Sequence, residues 1–291
     1  MASLIRRTLL LRTFCRAKRF TCHSQYVHQE SAGAERMSNS SKESNETHFG
    51  FQTVKESEKA DKVYEVFEEV AQSYDKMNDA MSFGIHRLWK DIFVDRLAPS
   101  KPCKILDVAG GTGDIAFRIA KYLRNSDGGG ITVCDINQAM LDVGRKRASE
   151  LGFSGMEWLQ GNAECLSSIA DNTYDSYTIA FGIRNVTHID KALKEAYRVL
   201  KPGGQFMCLE FSQVQNENLR WLYDQYSFQA IPVMGQLIAG QWKAYQYLVE
   251  SIRQFPNQEE FAGMIERAGF AFVRHENLTF GVVAIHCGHK L

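Results

Sequence analysis

The chain lacks any Cys-x-x-Cys pair: its 7 cysteines stand at 15, 22, 103, 134, 165, 208 and 287. That scatter excludes a paired-cysteine zinc site and a disulfide framework, and it suits a reducing interior compartment. Cys134 and Cys208 lie in apolar, strand-like runs, where a thiol behaves as a small hydrophobe. Also missing is an apolar run long enough to span a bilayer, and no internal repeat is evident. Neither sign of charge is in excess, with 34 basic and 34 acidic residues. Residues 1–29 take six of the basic ones and no acid. The remainder is therefore mildly acidic, which argues against a nucleic-acid partner.

Those first 29 residues set Arg6, Arg7, Arg12, Arg16, Lys18 and Arg19 among leucine, serine and threonine. This is the composition of a mitochondrial transit peptide. A secretory signal fits less well, because Arg12 interrupts its apolar core. A structureless basic tail is the plain alternative. Residues 30–47 are polar and read as a linker. Residues 48–291 are expected to form one α/β domain, long enough to bury a large core.

That domain is organised around Lys104–Asp114, reading KILDVAGGTGD. Ile105–Val108 is strand-like, and the glycines that follow suit neither a strand nor a helix interior. From Ile115 the periodicity is helical. Strand, glycine turn and helix open a nucleotide-type unit, in which a ligand lies against bare backbone at a helix N-terminus. Gly111, Gly113 and Ala116 also satisfy the dinucleotide pattern, and Asp135 follows a second strand, Ile131–Cys134, where a ribose-binding acid belongs. A nicotinamide cofactor is thus open at this point. Against it stands Asp107, an acid that would repel a pyrophosphate but suits the cationic amino-acid portion of S-adenosylmethionine. Thr112 can offer that portion a hydroxyl. The pattern Asp-x-Ala-x-Gly-x-Gly resembles the first motif of Rossmann-like methyltransferases.

Ahead of this stretch the spacing predicts a helix within Val54–Tyr74, a break, and a second helix through Ile85–Leu97, ended by Pro99. After it, strands and helices alternate. Asn137 caps a helix running to Leu151, and Met156–Gln160 is a strand followed by Asn162 and Ala163. Asp175–Phe181 is the fourth strand of the α/β unit, and ligands bind beyond the carboxyl ends of such strands. Arg184, Asn185 and His188 therefore face the site. A braced surface arginine and a helix-capping histidine are the plainer alternatives. Residues 213–256 interrupt the alternation with a helical, aromatic-rich insertion that reads as a lid or an extra core layer. A capping box at Asn257 and Glu260 opens another helix. Two strands around Thr279–Gly281 close the chain as an antiparallel hairpin, unlike the all-parallel dinucleotide fold.

Two stretches carry a closer resemblance. Tyr74–Trp89 has Tyr-Asp-x-Met-Asn, then Ser82, then His-x-x-Trp, and Arg198–Ser212 contains Leu-Lys-Pro-Gly-Gly before the fifth strand. Both resemble the signatures of the ubiquinone/menaquinone biosynthesis C-methyltransferases, and the second is not a dehydrogenase feature. The resemblance covers about residues 47–291. One departure is Ala180, where bacterial relatives have a serine. The implied fold is a Rossmann-like class I methyltransferase. It has a seven-stranded, mostly parallel sheet with an antiparallel last strand and helices on both faces. N-terminal helices and the insertion form a lid.

The implied activity is S-adenosylmethionine-dependent C-methylation of a prenylated methoxy-benzoquinol. Asp107, Gly111, Thr112, Gly113, Asp135, Asn162 and Ala163 would hold the cofactor, Asn162 reaching the adenine amino group. Tyr74, Asn78, His86 and Tyr245 would hold the substrate. Arg184, Asn185 and His188 would be catalytic, with His188 or a held water as base and His86 as the second candidate. No metal is required. Implied partners are the quinol, other ubiquinone-synthesis proteins in a complex, the matrix side of the inner mitochondrial membrane as a peripheral contact, and a second copy of the chain. The opposing reading is a non-catalytic scaffold that binds cofactor or prenyl-quinols.

Overall fold

The computed structural model describes residues 46–70, 74–124 and 128–291, with the side chains of 69, 70, 74–76 and 239 also outside the description. The leader and most of the linker fall outside it. Described structure begins with a hairpin that apolar periodicity did not announce, β1 Glu46–Phe49 and β2 Gln52–Lys55. Val54, expected to start a helix, is the buried residue of β2. Helix α1, Glu56–Val70, follows directly. The break expected around Tyr74 is itself largely helical: α2 spans Tyr74–Ser82 and α3 spans Ile85–Leu97. Few apolar residues mark α2 in sequence. It is held by Met77, fully buried in a cluster with Ile231, Ala244 and Tyr245 of the insertion, so tertiary packing decides its state.

The central sheet uses β3 Ile105–Val108, β4 Ile131–Asp135, β5 Glu157–Gln160, β6 Tyr174–Ala180, β7 Leu200–Phe211, β8 Ala271–Leu278 and β9 Val283–His289. Their spatial order is β5-β4-β3-β6-β7-β9-β8. β9 runs antiparallel to both of its neighbours, while the pairs from β5 to β7 are parallel. Helices α4 Asp114–Tyr122 and α5 Gln138–Leu151 cross between the early strands, and α6 Ile189–Val199 precedes β7. α7 Glu217–Gln225, a π-helical turn at Tyr226–Ala230, α8 Ile231–Ala239 and α9 Trp242–Gln254 make up the insertion, and α10 Gln258–Arg267 leads to β8.

Because side chains alternate along a strand, the sheet buries two cores. Ile105, Ile131, Val133, Met207 and Ile285 pack one face against α3, α4 and α5. Leu106, Val108, Tyr177, Phe206 and Cys208 pack the other against α6 and α10. Near-continuous burial along β3 and β4 is what a parallel sheet covered on both sides demands.

Candidate active site

The turn after β3 shapes the first half of the site. Gly113 caps α4 at φ +84°, and a Cβ there would come within 2.8 Å of the Trp158 ring. Gly110 has ordinary φ, yet its Cβ would lie 2.6 Å from Val133 and 3.0 Å from Asp107 Oδ2. Only bare backbone fits at either point. Ala109 and Phe181, at the ends of neighbouring strands β3 and β6, also take positive φ, 51° and 56°. Both are held in the left-handed region, where a non-glycine backbone is strained.

Over these strand ends lies an open cavity, floored by the glycine turn and roofed by Ala60, Val63 and Phe67 of α1. It is large enough to hold a small molecule. Asp107 is fully buried in its wall. Its Oδ1 accepts a hydrogen bond from Thr178 Oγ1 at 2.8 Å, across the strand register that pairs the two residues. Its Oδ2 has no partner. Burial, with Asp135 nearby as a further contribution, pushes its pKa up to about 7. A buried carboxylate oxygen without a donor fits an incoming ammonium. At the end of β4, Asp135 accepts from the Gly111 N–H at 2.9 Å through Oδ2 and from the Asn137 N–H at 2.8 Å through Oδ1. Burial raises its pKa, and those N–H groups oppose the rise. The carboxylate is thereby fixed in orientation with lone pairs to spare.

Of the other expected cofactor residues, Gly111, Thr112, Asn162 and Ala163 line the same cavity, while Gly113 does not. Thr112 lines it while accepting from Arg147 Nη1 at 3.0 Å, which leaves its own hydroxyl proton to donate. Asn162 and Ala163 lie opposite, after β5. Asn162 Oδ1 takes the Glu164 N–H at 2.9 Å, so this side chain shapes its own turn as well as facing the cavity.

A second cavity adjoins the first, and Phe67, Lys90 and Phe181 line both. Its walls come from segments remote in sequence: Asn78, His86 and Trp89 on α2 and α3, Arg184 beyond β6, and Tyr223, Tyr226 and Tyr245 in the insertion. Tyr74 begins α2, but its side chain lies outside the described residues. Asn185 lines the first cavity and accepts from the Tyr247 hydroxyl at 3.0 Å.

Arg184 is buried and paired. Its Nη1 lies 2.9 Å from Glu210 Oε1 and 2.5 Å from the Phe181 carbonyl, and its Nε is 3.3 Å from Ser251 Oγ. The guanidinium also sits over the Phe211 ring, 5.5 Å from its centroid. Burial raises the pKa of Glu210, and Arg184 works against that rise. Sequence reasoning missed Glu210, although an acid inside the apolar run Phe206–Phe211 is a readable signal. It also missed Lys90, a buried cation on α3 whose Nζ is 2.8 Å from Asp114 Oδ2.

His188 is set apart from these residues. It stands at the start of α6 with its Nε2 3.5 Å from Glu56 Oε2, and it lines neither cavity. The chain leaves β6 through a 3₁₀ turn at Ile183–Asn185, and by position 188 it has moved beyond the pocket. Thr187 lines the first cavity in its place.

A glycine-turn cofactor cavity at the carboxyl ends of β3 and β4, in a sheet closed by an antiparallel strand, defines a class I methyltransferase. S-adenosylmethionine is its methyl donor. The chain belongs to the ubiE/COQ5 methyltransferase family, whose pattern matches residues 53–290. It is 58% identical to the mitochondrial 2-methoxy-6-polyprenyl-1,4-benzoquinol methylase of Drosophila melanogaster, over 97% of this chain and 96% of that one. It is 54% identical to the human protein of that name, over 88% of each. The fold is shared with a SAM-dependent methyltransferase of Thermotoga maritima, described as a possible histamine N-methyltransferase, at 21% identity and a TM-score of 0.56 over 78% of this chain and 99% of that one. A methyltransferase of Aquifex aeolicus, at 17% identity and a TM-score of 0.54, covers 75% and 98%.

Proposed function

We propose that this chain methylates a ring carbon of 2-methoxy-6-polyprenyl-1,4-benzoquinol to give 5-methoxy-2-methyl-3-polyprenyl-1,4-benzoquinol, a step of ubiquinone biosynthesis. The observation that carries the reading is 58% identity, over nearly the full length, to an enzyme named for that substrate. An aromatic-lined cavity sharing a wall with the cofactor cavity supports it. S-adenosylmethionine supplies an electrophilic methyl group on a cationic sulfur.

The residues divide the work. Asp107 takes the ammonium of the donor on its unpaired oxygen, and Thr112 donates to the same portion. Asp135 receives the ribose hydroxyls. Gly111 and Gly113 let the donor lie against main chain, while Asn162 and Ala163 receive the adenine. Asn78, His86 and Tyr245 surround the quinol ring, with Tyr74 at the start of the same helix. Carbon attacks well only when an adjacent ring oxygen is deprotonated, and a phenol has a pKa of about 10. Arg184 offers a fixed cation to the developing phenolate, moderated by Glu210. Asn185, held by Tyr247, fixes the turn that carries Arg184. The shared wall brings the two ligands together without water, and alignment supplies much of the remaining rate.

The reading extends to place and partners. The protein acts in the mitochondrion, on the matrix side of the inner membrane, as a peripheral member of an assembly of ubiquinone-synthesis proteins, with a second copy as one partner. Support comes from apolar side chains exposed on the insertion, including Trp221, Leu222, Leu237 and Ile238. No helix among the described residues is long and apolar enough to cross a membrane.

Purified protein, S-adenosylmethionine and the short-chain quinol kept reduced should yield the ring-methylated product by mass spectrometry, and the oxidised quinone should yield none. Cofactor binding without product under reducing conditions would favour the scaffold reading instead.

A further inference from the structure

His86 gives the second cavity a feature beyond shape. It lies on α3, buried to 7% exposure. Its Nε2 is 2.8 Å from Asp79 Oδ1. Asp79 is in turn clamped by Arg87, whose Nε and Nη2 donate to the two carboxylate oxygens at 2.7 Å each. The Arg87 bonds, with that of His86, hold the Asp79 carboxyl well below the usual carboxylate range. An ionised carboxylate only accepts, so the imidazole nitrogen facing it carries the ring proton. In the neutral ring the other nitrogen, Nδ1, is then a bare lone pair. It is buried and has no hydrogen-bond partner, and His86 lines the second cavity. An unsatisfied buried acceptor costs stability. The ring that carries it lines the second cavity, a space that suits an aromatic ring.

We propose that His86 is the general base of the reaction, taking the ring hydroxyl proton of the bound quinol on Nδ1, with Asp79 and Arg87 as positioning residues. The proposal rests on the quinol reading of this cavity. The quinol O–H bond breaks and the Nδ1–H bond forms, the electron pair staying on the ring oxygen. The activated ring carbon forms its bond to the donor's methyl as the sulfur keeps the electrons of the broken S–C bond. The ring then loses its C–H proton to water while the imidazolium returns a proton to the oxygen. One proton is released per turnover, and His86 is regenerated. Asp79 acts as the acid of a catalytic triad does, fixing the tautomer and stabilising the imidazolium.

The groups around the ring agree with this role. Asp79 faces it from α2, Lys90 from its own helix and Asp114 from α4. Arg184, Tyr223, Tyr226 and Tyr245 line the same cavity. Burial and the Lys90 charge lower the His86 pKa, against the pull of Asp79 and Asp114. The ring is therefore neutral, and able to accept, at neutral pH.

The test joins kinetics to spectroscopy. In wild-type protein labelled with ¹⁵N-histidine, the NMR shifts of His86 at pH 7 should report Nε2 protonated and Nδ1 bare. His86→Gln should lower kcat by about 10² or more at pH 7, the usual scale of general-base loss, and should abolish the acid limb of the kcat profile. Cofactor affinity by calorimetry should stay within threefold. Asp79→Asn should lower kcat while retaining a shifted acid limb, and added imidazole should partly rescue His86→Ala. A protonated Nδ1 in the neutral ring would overturn the proposal. So would a folded His86→Gln enzyme with turnover within threefold of wild type and an unchanged acid limb. If wild-type protein methylates no reduced quinol, the substrate reading fails separately, and the tautomer still decides whether the dyad exists.

Discussion

Asp107 carries a carboxyl group into the core with one oxygen unused. Its pKa of about 7, against an ordinary 3.8, comes chiefly from burial. A raised carboxyl pKa means that ionisation opposes folding. The cost begins above pH 3.8 and is complete above about 7. Asp107→Asn should therefore raise Tm at pH 8, because Asn still accepts from Thr178 without a buried charge. The same change should weaken S-adenosylmethionine binding by about 1.5–3 kcal/mol, the scale of hydrogen bonds to charged groups. Thermal melts and calorimetry on one variant check both signs. Arg184 contrasts with it. Its charge is matched by Glu210, so Arg184→Ala leaves an unpaired buried acid and should destabilise by about 3–5 kcal/mol in urea titrations. Turnover should fall by about 10² or more, as losses of preorganised charge do. Arg184→Ala with Glu210→Gln should recover much of the stability and little of the turnover. The pairing was not legible in sequence, because 26 residues separate its members. The placement of His188 was hidden for a related reason: its distance from the strand end could be counted, but not the turn that carries it away.

Among elements, those announced by local chemistry were the ones sequence located well. The glycine turn, the Asn137 cap and the capping box at Asn257 depend on neighbours a few residues apart. The hairpin β1–β2 and helix α2 depend on partners far along the chain and left almost no periodic signal. The same division separates the two halves of the site. The first cavity is built on consecutive strand ends, whereas the second is assembled largely from α2, α3 and the insertion. Where β9 meets α10, His286 is buried with Nε2 3.0 Å from the Gln258 carbonyl. Burial is the first cause of its low pKa, about 4 against an ordinary 6.5. The native state therefore keeps the ring neutral. The resulting stability is present above pH 6.5 and is lost as pH falls toward 4, at most about 3 kcal/mol in all. Urea titrations from pH 7 to 4 should show a loss that His286→Gln reduces.

At the scale of the whole molecule, residues 1–29 remain defined by composition alone. Fused to a fluorescent reporter, they should direct it to mitochondria, and diffuse cytosolic signal would reject the transit-peptide reading. The catalytic domain has a different whole-molecule property. Tyr226 of the insertion donates to the Met81 carbonyl of α2 at 2.7 Å, and Phe49 of β1 stacks on Tyr247 of α9 at 4.3 Å. Each bond ties an N-terminal element to one more than 140 residues later. Amide exchange in α1, α2 and α7–α9 should therefore show one shared opening free energy, well below that of β3, β6 and β7.

That shared latch bears on the order of events in a catalytic cycle. Phe67, Lys90 and Phe181 belong to both chambers, and the roof of one is fastened to the roof of the other. On the proposed reading, donor and acceptor therefore lie beneath one joined roof. If that roof opens as a unit, release of the spent donor and release of the methylated ring are expected to share one opening. Product and by-product departure should then follow one rate, set by how quickly two distant stretches of the chain part and meet again.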